Sequence, residues 1–157
     1  MCSIKIKELK QRPDIKKNAK VNEAYLLLKK LLSELGNRKL PDTMVASINK
    51  EIEELNMNVN SGKELKKQIK KKQCTITKSL EKELKIVAKN HYRNYYMAIG
   101  MAAFGIPFGT AFGAALGNMA FIGIGLPIGM AVGIAIGTGL DKKAFEEGRQ
   151  LDLEIKN

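Results

Sequence analysis

The chain has 157 residues and a formal net charge of +11 at pH 7, with 45% hydrophobic and 27% charged residues. This length suffices for one modest domain plus a membrane segment. Two cysteines, Cys2 and Cys74, and one histidine, His91, are too few for a disulfide framework, a Cys/His zinc site or a catalytic triad. The sequence contains no Gly-Lys-Ser/Thr, the motif that ends a phosphate-binding loop, so this class of nucleotide site is excluded. The sequence therefore predicts no enzyme, no cofactor and no metal.

The positive charge is concentrated in the first part of the chain. Residues 1–93 contain 23 Lys/Arg and 11 Asp/Glu, whereas the tail from Asp141 contains four and five. We divide the chain into a mobile basic lead-in (1–18, with Pro13), a basic helical domain (19–93), an uncharged segment (94–140) and a charged cytoplasmic tail (141–157). The tail's alternating apolar residues suit a strand as well as a helix.

Apolar residues spaced three and four apart predict two helices at the start of the basic domain. The apolar stripe of the first consists of Val21, Tyr25, Leu28, Leu32 and Leu35. Gly36 is its expected C-cap. The stripe of the second consists of Val45, Ile48, Ile52 and Leu55. Asp42 is expected to cap its start, and Asn58-Val59-Asn60 to end it.

A long third helix is predicted after a capping box at Ser61–Glu64. Its stripe consists of Leu65, Ile69, Ile76, Leu80, Leu84 and Val87. We expect it to continue without a break into the uncharged segment at Tyr95. Because the stripes are narrow, the helices should bury them against each other in a small bundle or a coiled-coil dimer. The predicted fold class is all-α.

The densest charged cluster lies on this third helix and consists of Lys66, Lys67, Lys70, Lys71 and Lys72. A solvated helix face is the favoured interpretation, and an anionic lipid or an acidic protein partner are the alternatives. No aromatic residue is interleaved, which argues against nucleic acid. The cluster precedes the uncharged segment by about 20 residues, on the order of 30 Å along an upright helix, so lipid contact would require the helix to lie down.

The uncharged segment contains a tandem repeat. Residues 105–118 align with residues 125–138, and glycine, proline and alanine match at seven of the 14 positions. The repeat spaces its glycines four apart, at Gly105, Gly109, Gly113 and Gly117 and again at Gly125, Gly129, Gly133 and Gly137. Positions four apart share a helix face, so each helix has a groove that lets another backbone approach closely. The helices could pack on each other or on neighbouring copies.

The uncharged segment is long enough to cross a bilayer twice, since one span needs about 20 apolar residues. We predict spans over about 95–117 and 119–140, joined by a turn at Gly117-Asn118. Pro107 and Pro127 should kink the spans. Bulky stripes beside the grooves are expected to face lipid or a partner, and they comprise Phe104, Phe108 and Phe112, and Ile124, Ile128 and Val132.

The flanks of the segment indicate its orientation. Lys89 and Arg93 precede it, Lys142 and Lys143 follow it, and the turn is uncharged, which predicts both termini on the cytoplasmic side of the cell (inner) membrane. The expected interfacial anchors are Tyr92, Tyr95 and Tyr96. A soluble alternative is a glycine-rich helix pair buried in a larger assembly, or one hidden until it inserts.

The glycine repeat resembles the glycine-zipper segments of bacterial membrane proteins, over about a quarter of the chain. The resemblance implies homo-oligomerisation and, in some members, pores or membrane permeabilisation, and it carries over only to the glycines. Two functions follow as hypotheses. The first is an oligomeric membrane protein with a narrow pore. The second is a membrane-tethered module whose basic domain binds a cytosolic partner.

Overall fold

The computed structural model describes residues 5–11, 15, 18–59, 62–118, 120 and 122–155. The fold is all-α, which confirms the predicted class. Its helices are α1 (Ala19–Gly36), α2 (Asp42–Met57), α3 (Gly62–Leu84), α4 (His91–Gly100), α5 (Ile106–Ala115) and α6 (Ile122–Glu146). A π-helical turn, Met101–Gly105, joins α4 to α5. No strand occurs in these ranges, where only an isolated bridge pairs Val87 with Gln150.

The chain divides into two compact units. The described residues up to Ile86 and from Leu151 onward form the first, here called the helical unit, and Val87–Gln150 form the second, the apolar unit. In the helical unit α3 packs against both α1 and α2. The predicted stripes of α1 and α2 are buried throughout, and Leu31 joins them as a fully buried residue. Burial of these stripes against α3 closes the core.

The third helix ends earlier than predicted. α3 stops at Leu84, and both Lys85 (φ 56°) and Asn90 (φ 61°) adopt the left-handed conformation before α4 begins. This conformation cannot continue a right-handed helix, so the expected uninterrupted run into Tyr95 is wrong. Val87 is buried, but in the apolar unit rather than on α3. Ser61, the start of the predicted capping box, lies outside the described residues.

Both predicted caps of the first two helices are displaced by one residue. Pro41 occupies the N-cap of α2 without a side-chain bond, and Asp42 is the first helical residue. There its carboxylate can still favour the positive end of the helix dipole. Gly36 is the last residue of α1, followed by Asn37 at the C-cap with a right-handed backbone. Neither cap depends on the residue chosen from the sequence.

Residues 5–11 of the lead-in are held along α2 by two asparagine side chains. Asn49 Oδ1 accepts from Lys7 N at 2.7 Å, and Asn49 Nδ2 donates to the Lys5 carbonyl at 2.9 Å. Asn56 makes the same two kinds of bond further along α2, because its Oδ1 accepts from Lys10 N and its Nδ2 donates to the Glu8 carbonyl oxygen. The asparagine side chains thus satisfy main-chain N–H and C=O groups of a non-helical segment that would otherwise bond to water. Mobility of 1–18 stays a prediction, and Pro13 lies outside the described residues.

Part of the tail belongs to the core of the helical unit. Leu151 and Leu153 are buried in the core of the helical unit, and Asp152 N donates to Glu34 Oε1 at 2.8 Å. Residues 151–155 form neither of the two alternatives, strand or helix. The alternation of apolar and charged residues here follows burial alone. Leu151 and Leu153 are buried, whereas Asp152 and Glu154 are exposed.

Candidate functional site, the glycine seam of the apolar unit

The apolar unit is built from one antiparallel helix pair. Its first helix comprises α4, the π turn and α5, and α6 packs against all three. The turn between them includes Gly117, whose φ of +66° confirms the predicted turn. Gly117 is exposed, and a Cβ there would meet nothing within 4 Å. Its assignment as a helix-packing glycine is therefore wrong, because it serves the turn.

Main-chain atoms meet directly along one face of α6. An added Cβ at Gly133 would lie 2.1 Å from the carbonyl oxygen of Tyr96, and one at Gly125 would lie 2.2 Å from that of Gly105. The corresponding closest distances at Gly129 and Gly137 are 2.4 and 2.5 Å. Ordinary van der Waals contact starts at 3.4 Å. Since main-chain atoms cannot rotate away, these four positions require glycine, and we call this line of contact the glycine seam.

The first helix contributes Gly100, Gly105 and Gly109 to the seam. These three glycines and Gly113, the next in the series, are buried. Gly100 was not singled out from the sequence. A Cβ there would lie 2.2 Å from the carbonyl oxygen of Gly129, so the position is as tight as those on α6. Its spacing of five from Gly105 breaks the four-residue rhythm, which is why the pattern did not reveal it.

The π turn corrects this irregular spacing. Ile106 N donates to the carbonyl oxygen of Met101, five residues back, so the turn accommodates one extra residue. Gly100 and Gly105 thereby face the same side of the helix. Pro107 lies just after the π turn within the continuous first helix, and Pro127 lies inside α6. The kinks expected at both prolines stay predictions.

Beside the seam, each helix of the pair exposes a stripe of bulky apolar side chains. Phe104, Phe108 and Phe112 are 44%, 49% and 51% exposed, and the first two rings lie 6.5 Å apart. On α6, Ile124, Ile128 and Val132 are exposed in the same way. An isolated water-soluble protein rarely leaves so large an apolar surface uncovered.

Two helices, His91–Ala115 and Gly123–Glu146, are long and apolar enough to cross a membrane. The core helix of a soluble protein can meet the same criterion, but there it is mostly buried. Here only 22% of each apolar window is buried.

Comparison with protein-family models, curated proteins and solved structures finds no match to this chain. Its function has to be argued from its own residues.

Asp141 joins the two helices at the open end of the pair. Its side chain projects from α6, is only 6% exposed, and accepts from the backbone N–H groups of Tyr92 (3.1 Å) and Arg93 (2.9 Å). These are unbonded N–H groups in the first turn of α4, whose own N-cap residue, Asn90, makes no side-chain bond. A carboxylate is also favoured at a helix N-terminus. Asp141 therefore caps α4 from the neighbouring helix, a role that sequence analysis missed.

The residues after α6 extend this connection. Gln150 Nε2 donates to the Asp141 carbonyl at 3.2 Å, and Val87 N donates to the Arg149 carbonyl at 3.0 Å. Hydrogen bonding to Glu147, with a smaller contribution from Tyr92, raises the pKa of the Arg149 guanidinium above its usual value. The end of the pair is thus fastened by polar contacts, whereas the seam consists of main-chain packing.

Aromatic side chains gather at this same end. His91 stacks on Tyr95 at 6.5 Å, and Tyr92 and Tyr96 each make an edge contact within the group. Tyr95 is 57% exposed, and Tyr92 and Tyr96 are half-buried. All three predicted anchors therefore lie beside the start of the first helix. Their contact with a membrane interface stays a prediction.

The lysine cluster does not form one free basic patch. Lys66, Lys67, Lys70 and Lys71 keep their charges at or near the surface, but Lys72 forms salt bridges with Glu51 (2.8 Å) and Glu54 of α2. Burial disfavours the charged form of Lys72, but hydrogen bonds to both carboxylates outweigh it and raise the pKa of Lys72. The same bond lowers the pKa of Glu54. Lys72 thus ties α3 to α2 and leaves four lysines of the cluster at or near the surface.

Among the described residues, no group of three or more His, Cys, Asp or Glu side chains is placed to hold a metal ion. Cys74 is a half-buried free thiol on α3. Cys2 lies outside the described residues. The expected lack of a cofactor and of catalysis stays a prediction.

Proposed function

We propose that this chain is a multi-pass membrane protein, anchored by the apolar helix pair as a two-span hairpin with both termini in the cytoplasm. The exposed apolar stripes of the pair carry the proposal, because a bilayer is the environment that such stripes suit. Lysine and arginine flank both helices and are absent from the turn, which supports the orientation.

Carbonate extraction tests the anchor. The full-length protein is expressed, its membranes are washed at alkaline pH, and the pellet and supernatant are blotted. An integral hairpin stays in the pellet. Release into the supernatant would contradict the spanning arrangement and favour a helix pair covered by protein. Labelling of introduced cysteines at the exposed Asn94 and at Asn118, in intact cells and after lysis, reads the orientation independently.

As the function of this anchored protein, we propose an interaction module whose basic helical unit binds an acidic cytosolic partner or an anionic lipid. The glycine seam supports this function. Its glycines already contact main-chain atoms within the pair, so they are not free to join neighbouring copies. A self-closed hairpin is suited to anchoring. In a liposome ion-flux assay, vesicles containing the protein should therefore stay as tight as empty ones.

Homo-oligomerisation, with a narrow pore in the extreme case, is the second candidate function. One observation favours it, namely a second four-residue series of small residues on the outer face of α6. It consists of Gly123, Pro127, Ala131, Ala135 and Gly139, all exposed. Small residues let transmembrane helices approach closely. A wide channel is disfavoured, because beyond the interfacial Tyr95 and Tyr96 the spans and turn offer only Thr110, Asn118 and Thr138 as side-chain hydrogen-bonding groups.

Leucine substitution separates the two faces. Ala131→Leu with Ala135→Leu should dissociate oligomers in mild detergent and leave the pair closed, whereas Gly129→Leu with Gly133→Leu should open the pair itself. Crosslinking measures the number of copies. A protein that is monomeric before any substitution would rule out the second candidate.

A further inference from the structure

A cavity of about 510 Å³ opens between α1 and α3 in the helical unit. Lys20 and Lys30 of α1 and Lys66 and Lys70 of α3 line it. Its volume falls within the range of small-molecule sites. Every residue that lines it belongs to the helical unit, so the cavity does not depend on the apolar unit.

The charge around this cavity is not balanced. Within the described ranges, none of its four lysines forms a salt bridge, and Lys30 only donates to the Asp152 carbonyl at 3.4 Å. Two carboxylates, Glu23 and Glu154, also line the cavity. Four ammonium groups and two carboxylates leave a formal charge of +2. The ligand that complements this charge is a dianion.

Gln73 supplies a second and independent sign of a ligand. Its side chain lines the cavity and is 3% exposed, and its amide nitrogen Nε2 has no hydrogen-bond partner among the described residues. A buried donor without an acceptor is costly and rare. Gln73 lies three and seven residues beyond Lys70 and Lys66, so all three share one face of α3. Two ammonium groups thus lie on the same face of α3 as a buried amide donor that has no acceptor among the described residues.

The rest of the wall is apolar. Ala24, Leu26 and Leu27 of α1 line the cavity, and Leu26 is 53% exposed. An inorganic anion alone would leave most of the volume unfilled. The ligand should therefore carry an apolar body that covers these side chains.

We propose that this cavity binds a phosphate monoester carried on an apolar body. A phosphate monoester has a charge of about −1.5 to −2 at pH 7 and three acceptor oxygens, which matches the formal +2. Lysines bind phosphate as point charges, and the Gln73 amide donates to a remaining oxygen. A soluble phosphorylated metabolite and a lipid with a terminal phosphate share this chemistry. The inference holds whether or not the protein is anchored in a membrane.

Titration calorimetry of the full-length protein in nonionic detergent tests the site, with phenyl phosphate as the probe and phenol and inorganic phosphate as its two parts. Phenyl phosphate should bind more tightly than either part. Lys66→Ala with Lys70→Ala should weaken its binding by about tenfold or more. The matched control, Lys67→Ala with Lys71→Ala, removes the same charge from the same helix outside the cavity. It should change the affinity by about twofold or less, because solvent screens exposed charges.

Gln73→Met probes the amide separately, because methionine is of similar length and has no hydrogen-bonding amide. Without ligand it should raise the unfolding temperature, and with phenyl phosphate it should weaken binding. A purely structural glutamine would show the opposite, namely a lower unfolding temperature with unchanged affinity.

Two further probes identify the source of the phosphate. Tighter binding of butyl phosphate, a water-soluble ester with an apolar chain, assigns the site to soluble phosphate esters, and tighter binding of short-chain phosphatidic acid assigns it to lipid. The proposal is overturned if no phosphorylated probe binds, or if both double-lysine variants lose affinity equally. Neither outcome bears on carbonate extraction, which tests the anchor alone.

Discussion

Replacing Gly133 by alanine is expected to open the apolar helix pair, whereas the same replacement at Gly139 of the same helix is not. At Gly133 the new Cβ would lie 2.1 Å from the carbonyl oxygen of Tyr96 and 2.7 Å from its carbonyl carbon. This is roughly 1.3 Å short of ordinary contact, which starts at 3.4 Å. At Gly139 nothing described lies within 4 Å of the added atom.

The distances at Gly133 determine how much the free energy of closing the pair should differ between the two variants. Overpacking typically costs about 1–3 kcal/mol, and here the obstructing atoms are main chain, so we expect the upper part of that range. Alanine also gains about 1 kcal/mol over glycine in a helix, but both variants lie in α6 and receive this gain, so it cancels between them. The two variants should therefore differ by the clash alone, about 2–3 kcal/mol, or roughly 30- to 150-fold in the closing equilibrium.

Energy transfer between dyes at the open end of the pair measures this equilibrium. Dyes are attached through Asn94→Cys and Lys142→Cys, both exposed positions, in a chain with Cys2 and Cys74 changed to serine. Denaturing detergent is then titrated into the folded protein. Equal midpoints for the Gly133 and Gly139 variants would show that main-chain contact along the seam does not hold the pair closed.

Three further predictions use related assays. Asp141→Ala should weaken closure by about 1–2 kcal/mol, because it removes the side-chain cap of α4. Glu146→Ala, which removes the same charge from an exposed position of the same helix, should change little. Gly117→Ala should cost about 1–2 kcal/mol through its left-handed backbone while leaving the seam intact. Lys72→Met should weaken the acid dependence of chemical unfolding. The lowered pKa of Glu54 stabilises the fold fully above the unfolded value of about 4.3 and progressively less as the pH falls through the folded value.

Contrary outcomes are equally specific. A shift for Glu146→Ala as large as that for Asp141→Ala would assign the effect to net charge instead of capping. Unchanged closure after Gly117→Ala would mean that the turn adapts without strain. An unfolding midpoint that varies with pH identically with and without Lys72 would remove the salt bridge to Glu54 from the list of stabilising contacts.

Periodicity in the sequence predicted the features that repeat. The stripe from Val21 to Leu35 and the glycines of α6 recur at helical spacing, and burial follows from that spacing alone. The break after Leu84 could not be predicted in this way, because Lys85 and Asn90 are ordinary residues whose left-handed conformations depend on the surrounding structure. Helix ends are decided by tertiary contacts that no local pattern encodes.

The functional features that were missed all depend on a partner distant in sequence. Asp141 bonds residues 49 and 48 positions away, and Lys72 bonds Glu54 from 18 positions away. Gly100 was hidden by a spacing of five, which becomes regular only through the π turn. The cavity beside Gln73 exists only once α1 and α3 are packed together.

The glycine seam also has a consequence for alignment. Because glycines recur every four residues on α6, sliding one helix by four residues, about 6 Å, would place glycine against main chain once more. Such a shift keeps glycine at the close contacts of α6, so the seam alone leaves several alignments nearly equivalent. The turn at Gly117 limits the slide at one end, and the bonds from Asp141 to Tyr92 and Arg93 select one alignment at the other. An error at Asp141 would therefore misplace the helices along each other while leaving them in contact.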